Sequence, residues 1–320
     1  MRHYSQMPLC TKMRTLLLLW LFWPVALLAQ RDSLTDYIYT VITLDSVTVS
    51  ATREELDLRD FINLVQEDLS FYKAFYHLRT TPHRSEVQMK FFNKQGRQKA
   101  GYFARTHQFN DGLCRSMKME EEDISGHFFS RKGAYIYYTA ELYAAIFFTR
   151  DTLCVSGRNE AWRPQKTDKL SGMAKHIEEL KKVIFATGQP AEVPFTGDKM
   201  AIFSKKMIDR YTYKIQSDTL NGKPCYLFSI RAKPELPPSK TVIKKLDIWF
   251  EHGNLQVLRR QFHLYARTLL YDFDVNFDIL LHQKGSYYLP QQINYRGWWK
   301  IPTQRLEKSQ IDVRFYDFFN

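Results

Sequence analysis

Oxygen-bearing side chains recur at every second position of one short segment, at Asp272, Asp274, Asn276 and Asp278. This spacing imitates the first half of an EF-hand calcium loop. Such a loop also needs glycine at its sixth position and glutamate at its twelfth, where this chain has Phe277 and Gln283. The intervening residues are apolar, as in a half-buried strand. We therefore predict no metal site here, and expect the acids to pair with Arg259 and Arg267 on a neighbouring strand.

The remaining ionisable residues do not form a catalytic motif. The nine histidines contain no HxH, HxxxH or HExxH pair, so a zinc site would need residues that are distant in sequence. Neither a Gly-x-Ser-x-Gly elbow nor a glycine-rich phosphate loop occurs. The four consecutive acids from Glu120 to Asp123 are interpreted as a solvated turn before Ile124. We therefore predict no enzymatic activity, no catalytic residues and no cofactor.

Aromatic side chains are the most abundant feature that could bind a ligand, because Phe, Trp and Tyr make up 15% of the residues. Such side chains fill the core of a broad sheet, and they also line apolar pockets. Trp298 and Trp299 are adjacent, so in a strand they face opposite ways and one of them is a candidate for a groove or lip. The ligand-binding candidates are the inward apolar residues and these two tryptophans: Ile248, Phe250, Phe262, Leu264, Trp298 and Trp299.

These candidates lie in a segment whose pattern predicts consecutive antiparallel strands, from Tyr211 to the end of the chain. Residues 245–251 and 258–264 alternate on either side of the turn at His252, Gly253 and Asn254. Separate strands are predicted for 287–290 and 293–299. Residues 86–155 also read mainly as strands, with turns at 93–96 and 131–133.

Two helices are predicted from apolar residues at the helical period, over 56–78 and 169–187. Asp57 and Asp60 lie near the start of the first, where the helix dipole favours acids. A short third helix is expected over 204–209. Residues 139–148 fit a helix by propensity and a strand by context, and periodicity alone does not decide between them.

The first 29 residues are predicted to be a cleaved signal peptide. Arg14 precedes a 13-residue apolar run from Leu16 to Leu28, which is short for a membrane span, and Ala29 is followed by polar residues. An uncleaved membrane anchor is the alternative. We thus expect three regions: the signal peptide at 1–29, an N-terminal extension with one strand at 30–55, and a single α+β domain at 56–320.

Cysteine and charge are consistent with export. Three cysteines follow the signal, so at most one disulfide can form. The apolar surroundings of Cys154 and Cys225 favour buried thiols over a bridge. Removing residues 1–29 takes away Arg2, Lys12 and Arg14 and no acid, so the net charge falls from +12 to +9. The basic residues form no long run, so we predict no nucleic-acid partner.

One short segment resembles a known partner-binding element. Residues 44–53, Leu-Asp-Ser-Val-Thr-Val-Ser-Ala-Thr-Arg, resemble the Ton-box and plug entry of TonB-dependent outer-membrane receptors. The rest of the chain is too short for the 22-stranded barrel of such receptors, so an ordinary strand is favoured.

The C-terminal strand series carries a broader resemblance. It combines Asn221-Gly222-Lys223-Pro224-Cys225-Tyr226, then Leu246-Asp247-Ile248-Trp249-Phe250 with a turn to Gln256-Val257-Leu258-Arg259-Arg260, and finally Tyr288-Leu289-Pro290. Over residues 210–318 this order resembles the periplasmic lipoprotein carriers of the LolA, LppX and RseB type. The resemblance implies a curved antiparallel sheet, or half-barrel, with two or three helices on its concave face. It also implies an apolar hollow for acyl chains.

Taken together, these features predict an exported, non-catalytic protein of α+β class, mainly β. We expect it in the periplasm or at the outer-membrane periphery of a Gram-negative bacterium, where it binds lipid or the acyl chains of a lipidated protein. The alternative is a structural module of the outer membrane that binds an envelope protein partner through an edge strand.

Overall fold

The computed structural model describes residues 57–112, 114–149, 151–154, 197–267, 272–300 and 306–319, together with the backbone of 48–50. The predicted signal peptide, most of the Ton-box-like segment, the predicted helix 169–187 and Tyr271 lie outside these residues. Within them, the chain forms one large sheet with three α-helices on one face.

The sheet has twelve strands in the order β1-β6-β7-β8-β9-β10-β11-β12-β2-β3-β4-β5. Every pairing is antiparallel except the parallel pairing of β1 with β6. The two end strands, β1 and β5, do not pair with each other, so the sheet stays open. In chain order the strands are β1 Thr48–Ser50, β2 His83–Phe92, β3 Gln98–Asp111, β4 Cys114–Gly126, β5 Leu153–Cys154, β6 Tyr211–Leu220, β7 Lys223–Ala232, β8 Ile243–Glu251, β9 Val257–Arg267, β10 Asp272–Lys284, β11 Tyr287–Lys300 and β12 Glu307–Tyr316.

The helices α1 (Leu58–Glu67), α2 (Ser70–Thr80) and α3 (Tyr138–Phe147) cover the apolar face of this sheet. Alternate residues of each central strand are buried, as in β9 and β12. The ring of Phe61 in α1 lies 5.6 Å from that of Phe250, and the ring of Tyr143 in α3 lies 5.6 Å from that of Tyr295. The predicted fold class, a mainly β sheet with two or three helices on one face, is confirmed.

The strand β10 follows its predicted alternation. Val275 and Phe277 are buried and Phe273 is half-buried. On the other face, Asp278 accepts two hydrogen bonds from the guanidinium of Arg259, at 2.8 and 2.6 Å. Asp272 stands opposite Arg267 in the strand register. The alternating acids are therefore the outer side of a strand, as the apolar residues between them predict.

The first predicted helix is one unit in the sequence but two in the structure. The helix starts as expected, because the Asp57 carboxylate accepts from the backbone N–H groups of Arg59 and Asp60. It breaks at Asp68, whose backbone is extended and whose carboxylate accepts from Ser70 N at 2.8 Å. This side-chain bond competes with helical hydrogen bonding and restarts the chain as α2.

Three other local predictions are resolved or corrected. The segment that fitted both helix and strand is the helix α3. Residues 204–209 form turns and the start of the 3-10 helix Ile208–Arg210, not an α-helix. The two strands predicted over 287–299 are the single strand β11, in which a register shift opposite Leu280 and Leu281 accommodates one extra residue. Among the described residues, Gly197–Met200 and Pro238–Lys240 also form 3-10 helices.

The interpretation of the acidic run as a turn is wrong, because Glu120 to Asp123 lie inside the strand β4. The β3–β4 hairpin continues through these four acids because three of them bind arginine or tyrosine side chains of β2 and β3. Glu120 pairs with Arg84 at 3.3 Å, and Glu121 pairs with Arg105. Cross-strand pairs of opposite charge favour the continued hairpin over a turn at this point.

The expectation of a buried thiol is confirmed for Cys225 and wrong for Cys154. Cys225 is buried and unbridged. Cys154 is exposed on β5 and forms a disulfide with Cys114, which stands directly opposite it on β4. The strand pairing brings these two residues together, and their local sequences carry no signal of it.

Candidate functional site

Four of the six predicted ligand-binding residues lie together on the helix-covered face. Ile248 and Phe250 belong to β8, and Phe262 and Leu264 to the neighbouring strand β9. All four are at most 3% exposed. The Phe262 ring stacks on that of Phe277 at 4.8 Å. The four residues therefore belong to one apolar surface, which is covered in this structure, and their role in binding a ligand stays a prediction.

The cover over this surface is α1. Its residue Phe61 is fully buried in a nest of three rings that come from β7 and β8. The ring centroids of Tyr226, Phe228 and Phe250 lie 5.5, 5.8 and 5.6 Å from that of Phe61. We call the helix-facing apolar surface of β7, β8 and β9, formed by Tyr226, Phe228, Ile248, Phe250, Phe262 and Leu264, the apolar trough. Phe61 of α1 covers its β7–β8 part.

The two predicted tryptophans have different surroundings. Trp299 contacts α3, since its indole Nε1–H donates to Thr139 Oγ1 at 2.6 Å and its ring lies 5.3 Å from that of Tyr138. Trp298 is half-buried, and strand alternation puts it on the opposite face of the sheet. Trp299 thus anchors a helix, and the structure does not bring either tryptophan into the apolar trough.

A buried carboxylate holds the start of α3. Glu307, at the start of β12, accepts hydrogen bonds from the backbone N–H groups of Tyr138 and Thr139 at 2.8 and 3.0 Å, and from Thr139 Oγ1 at 2.7 Å. The helix has no side-chain cap of its own. An acid from another strand therefore supplies the N-terminal acceptor and charge that α3 lacks. The cap depends on tertiary packing, so the local sequence did not predict it.

A buried ion pair holds the break between α1 and α2. Arg260 on β9 is 1% exposed, and its Nη2 lies 2.7 Å from Asp68 Oδ2. Its guanidinium also lies 4.4 Å from the centre of the Phe71 ring. Burial lowers the pKa of Arg260, and the neighbouring Asp68 carboxylate opposes that shift. Arg260 occupies a core-facing position in a strand whose other core-facing residues are apolar. A charged residue at such a position was the sequence signal that a buried partner of opposite charge is present.

Two further findings in the described residues concern metal sites and membrane-spanning helices. No group of three or more His, Cys, Asp or Glu side chains in the described part of the chain is arranged to hold a metal ion. Within the same residues, no helix has the length and apolar character needed to cross a bilayer.

No protein-family model matches the chain, and no curated protein matches it. Several solved structures are similar over most of its length. A DUF1329 family protein from Desulfovibrio piger is 11% identical with a TM-score of 0.27, covering 80% of this chain and 91% of that one. An outer membrane lipoprotein-sorting protein domain from Vibrio parahaemolyticus is 10% identical, with a TM-score of 0.25 and coverages of 77% and 90%.

A LolA superfamily protein from Nitrosomonas europaea is 10% identical with a TM-score of 0.24, covering 80% of this chain and 91% of that one. The LolA superfamily is also one of the types that the motifs of residues 210–318 resemble. At TM-scores this low, the function of the chain has to be inferred from its own residues.

Proposed function

We propose that this protein is a non-catalytic carrier of the bacterial envelope that binds acyl chains of a lipid or lipidated protein in the apolar trough. The observation that carries this proposal is that one short helix, α1, packs its Phe61 against rings of β7 and β8, within an apolar surface that continues onto β9. An acyl chain would enter by displacing α1, with the break at Asp68 as the hinge.

The free-energy cost of lifting α1 and the gain from burying an acyl chain in its place are of similar size. Lifting α1 would expose its four buried side chains, Leu58, Phe61, Ile62 and Val65. Their exposure costs about 6–12 kcal/mol, at about 1.5–3 kcal/mol each. An acyl chain of about sixteen carbons would recover about 0.8 kcal/mol for each CH₂ that it buries, or about 12 kcal/mol if fully buried. A long acyl chain can therefore replace α1, whereas a short one cannot.

An envelope location is supported by the disulfide Cys114–Cys154, because disulfides persist in oxidising compartments such as the periplasm. The signal-like sequence of residues 1–29 points the same way. We infer that the mature protein acts in the periplasm or at the outer-membrane periphery.

The test is binding of a fluorescent long-chain fatty acid to protein purified without detergent. Wild-type protein should bind it with a Kd of about 40 μM or weaker, because the exchange leaves a net gain of at most about 6 kcal/mol. Phe61→Ala should bind at least about tenfold more tightly, because the variant loses packing that holds α1 closed. A chain of about eight carbons should bind far more weakly, since it buries only about half as many CH₂ groups.

The matched control is Phe128→Ala. Phe128 is also fully buried among rings, with Tyr102 at 4.9 Å and Phe91 at 5.9 Å, but it lies over β2 and β3 and outside the apolar trough. Both substitutions should destabilise the fold by about 3–5 kcal/mol. The carrier proposal fails if neither wild type nor Phe61→Ala binds the probe, or if both alanine variants change binding equally.

A second candidate is a partner-binding module, because β4 is an exposed edge. Among the described residues, β4 is paired with β5 only at Cys114 and Arg115, which leaves residues 116–126 without a neighbour on that side. Met119 and Ile124 on this strand are 41% and 45% exposed. An extended segment of an envelope protein could add to this edge. Met117→Pro would block such pairing without touching the apolar trough, because the register with β3 turns the Met117 N–H toward the open edge. Loss of partner capture in this variant alone would favour the module.

A further inference from the structure

The face of the sheet opposite the helices carries a second, polar cavity. It has a volume of about 560 Å³ and crosses five strands, from β8 to β12. Three residues that line it, Phe262, Phe277 and Tyr295, are buried on the helix side, so their backbone forms its floor. Its walls are polar side chains: Lys245, Gln261, Asn276, Asp278, Asn294, Arg296 and Asp312. We call this cavity the polar groove.

The strand register arranges these side chains in two ordered rows. The first row alternates carboxylates with carboxamides across six neighbouring strands: Asp247, Gln261, Asp278, Asn294, Asp312 and Gln88. The second row lies two residues further along each strand and is partly basic: Lys245, His263, Asn276, Arg296, Gln310 and Lys90. Each row spans about 24 Å, since neighbouring strands lie about 4.8 Å apart.

Many acceptors in these rows are already oriented by neighbouring side chains. Asp278 is held by Arg259 and by Gln261 Nε2, the latter at 3.1 Å. Asp312 accepts from Gln310 Nε2 at 2.7 Å. Such bonds fix the carboxylates in place and leave further oxygen lone pairs to accept hydrogen bonds. The walls are therefore preorganised before any ligand arrives.

Other groups in the polar groove have donors to offer. Asn276 and Arg296 are exposed, and within the described chain no hydrogen bond or ion pair engages their side chains. Asn294 accepts from Gln292 through its oxygen, which leaves its NH₂ group directed elsewhere. The polar groove thus combines donors and acceptors along one line.

The charge of the polar groove selects among ligand classes. Its walls contain two cations, Lys245 and Arg296, and two carboxylates, Asp278 and Asp312, so the formal charge is zero. Neither a phosphate nor a metal cation finds an excess of opposite charge there. The walls also lack apolar side chains into which a peptide could place its own. A neutral ligand with many hydroxyl or amide groups satisfies the alternating donors and acceptors.

We propose that the polar groove binds a neutral oligosaccharide. Trp298 strengthens this assignment, because it is half-buried on the same face, two residues beyond Arg296 on β11. Its ring offers a flat apolar surface next to polar groups, which suits the apolar face of a sugar ring. The site is separate from the apolar trough, and the two proposals can fail independently.

The test is calorimetric titration of the full chain with two neutral tetrasaccharides, chitotetraose and cellotetraose. At least one should bind, and the glucosamine tetramer, which has the same backbone with four positive charges, should bind more weakly. Arg296→Ala and Asn294→Ala should each weaken binding about tenfold, equivalent to about 1.4 kcal/mol. Trp298→Ala should weaken it by a similar factor.

Lys300→Ala is the matched control, because Lys300 is another exposed cation of β11 that does not line the polar groove. It should leave tetrasaccharide binding unchanged, and all four variants should bind the fluorescent fatty acid as wild type does. The proposal is overturned if neither neutral tetrasaccharide binds at millimolar concentration, if the charged tetramer binds more tightly, or if Lys300→Ala weakens binding as much as Arg296→Ala.

Discussion

The ion pair between Asp68 and Arg260 gives the sharpest prediction of stability. Arg260 is 1% exposed and the Asp68 side chain 6%, so neither charge can be solvated if the other is removed. Breaking a buried pair by neutralising one partner typically costs about 3–5 kcal/mol, because an uncompensated charge stays in the core. We expect Asp68→Asn to destabilise the protein by this amount. Asparagine still accepts from Ser70 N, so the loss reports on the charge and not on the helix cap.

The partner substitution is Arg260→Met, which keeps an unbranched chain next to the Phe71 ring and removes the charge. Alone it should cost about as much as Asp68→Asn, since it leaves the carboxylate without its counter-charge. The double variant should recover most of the loss, because replacing a whole buried pair is often close to neutral. A double-mutant cycle therefore yields a large coupling energy of opposite sign to the single losses.

The assay is unfolding in urea followed by intrinsic tryptophan fluorescence, with hydrogen exchange to locate the effect. Asp68→Asn should speed exchange of the α1 and α2 amides more than that of the central strands. Two results would refute the reasoning: a single-variant loss below about 1 kcal/mol, which is the range of an exposed pair, or losses that simply add in the double variant.

Three further predictions concern groups outside the apolar trough and the polar groove. Burial lowers the pKa of His83 to about 4, so this side chain is protonated at a lower pH in the folded protein than in the unfolded chain. Stability should then fall by about 3 kcal/mol as the pH drops from about 6.5 to about 4, and His83→Gln should flatten this dependence in urea titrations at several pH values. Reducing the disulfide, or Cys114→Ser, opens a loop with a sequence separation of 40 and should cost about 4 kcal/mol, seen as a lower melting temperature. Glu307→Gln should cost about 1.5–3 kcal/mol through weaker bonds to the start of α3, and unchanged melting would contradict that role.

The sequence predicted what depends on neighbouring residues. Alternation in β9 and β10 follows from a period of two, which is visible in about ten residues, and burial then confirms which side chains face inward. The start of α1 was predictable for the same reason, since Asp57 caps a backbone only two and three residues away.

Features set by distant partners could not be read from the sequence. Asp68 meets an arginine 192 residues away, so nothing near residue 68 indicates that a helix must break there. Cys114 and Cys154 are brought together by the register of β4 and β5. The acids of β4 pair with residues across the β3–β4 hairpin, and four consecutive acids give no local indication that a strand continues through them. The polar groove is a further case, because its rows form only when five strands, β8 to β12, pair in one register across more than sixty residues; the pairing of β12 with β2 then adds Gln88.

The two proposed sites share strands, and this sharing makes register the property on which both depend. Along β9, Phe262 and Leu264 face the apolar trough, while Gln261 and His263 face the polar rows. A slip of one residue would exchange these sets and turn Gln261 and His263 toward the helices, so neither site survives a register error. Irregularities in the ladder flank this region, at both ends of the β8–β9 pairing and within β10–β11. Each bulge lies opposite one particular residue of the partner strand. If the strands slipped by one residue, the bulge would face a regularly paired part of the partner and break hydrogen bonds there, so the bulges disfavour a slip. The irregular ends of these strands therefore keep apolar and polar surfaces on separate faces of a sheet that is one residue thick.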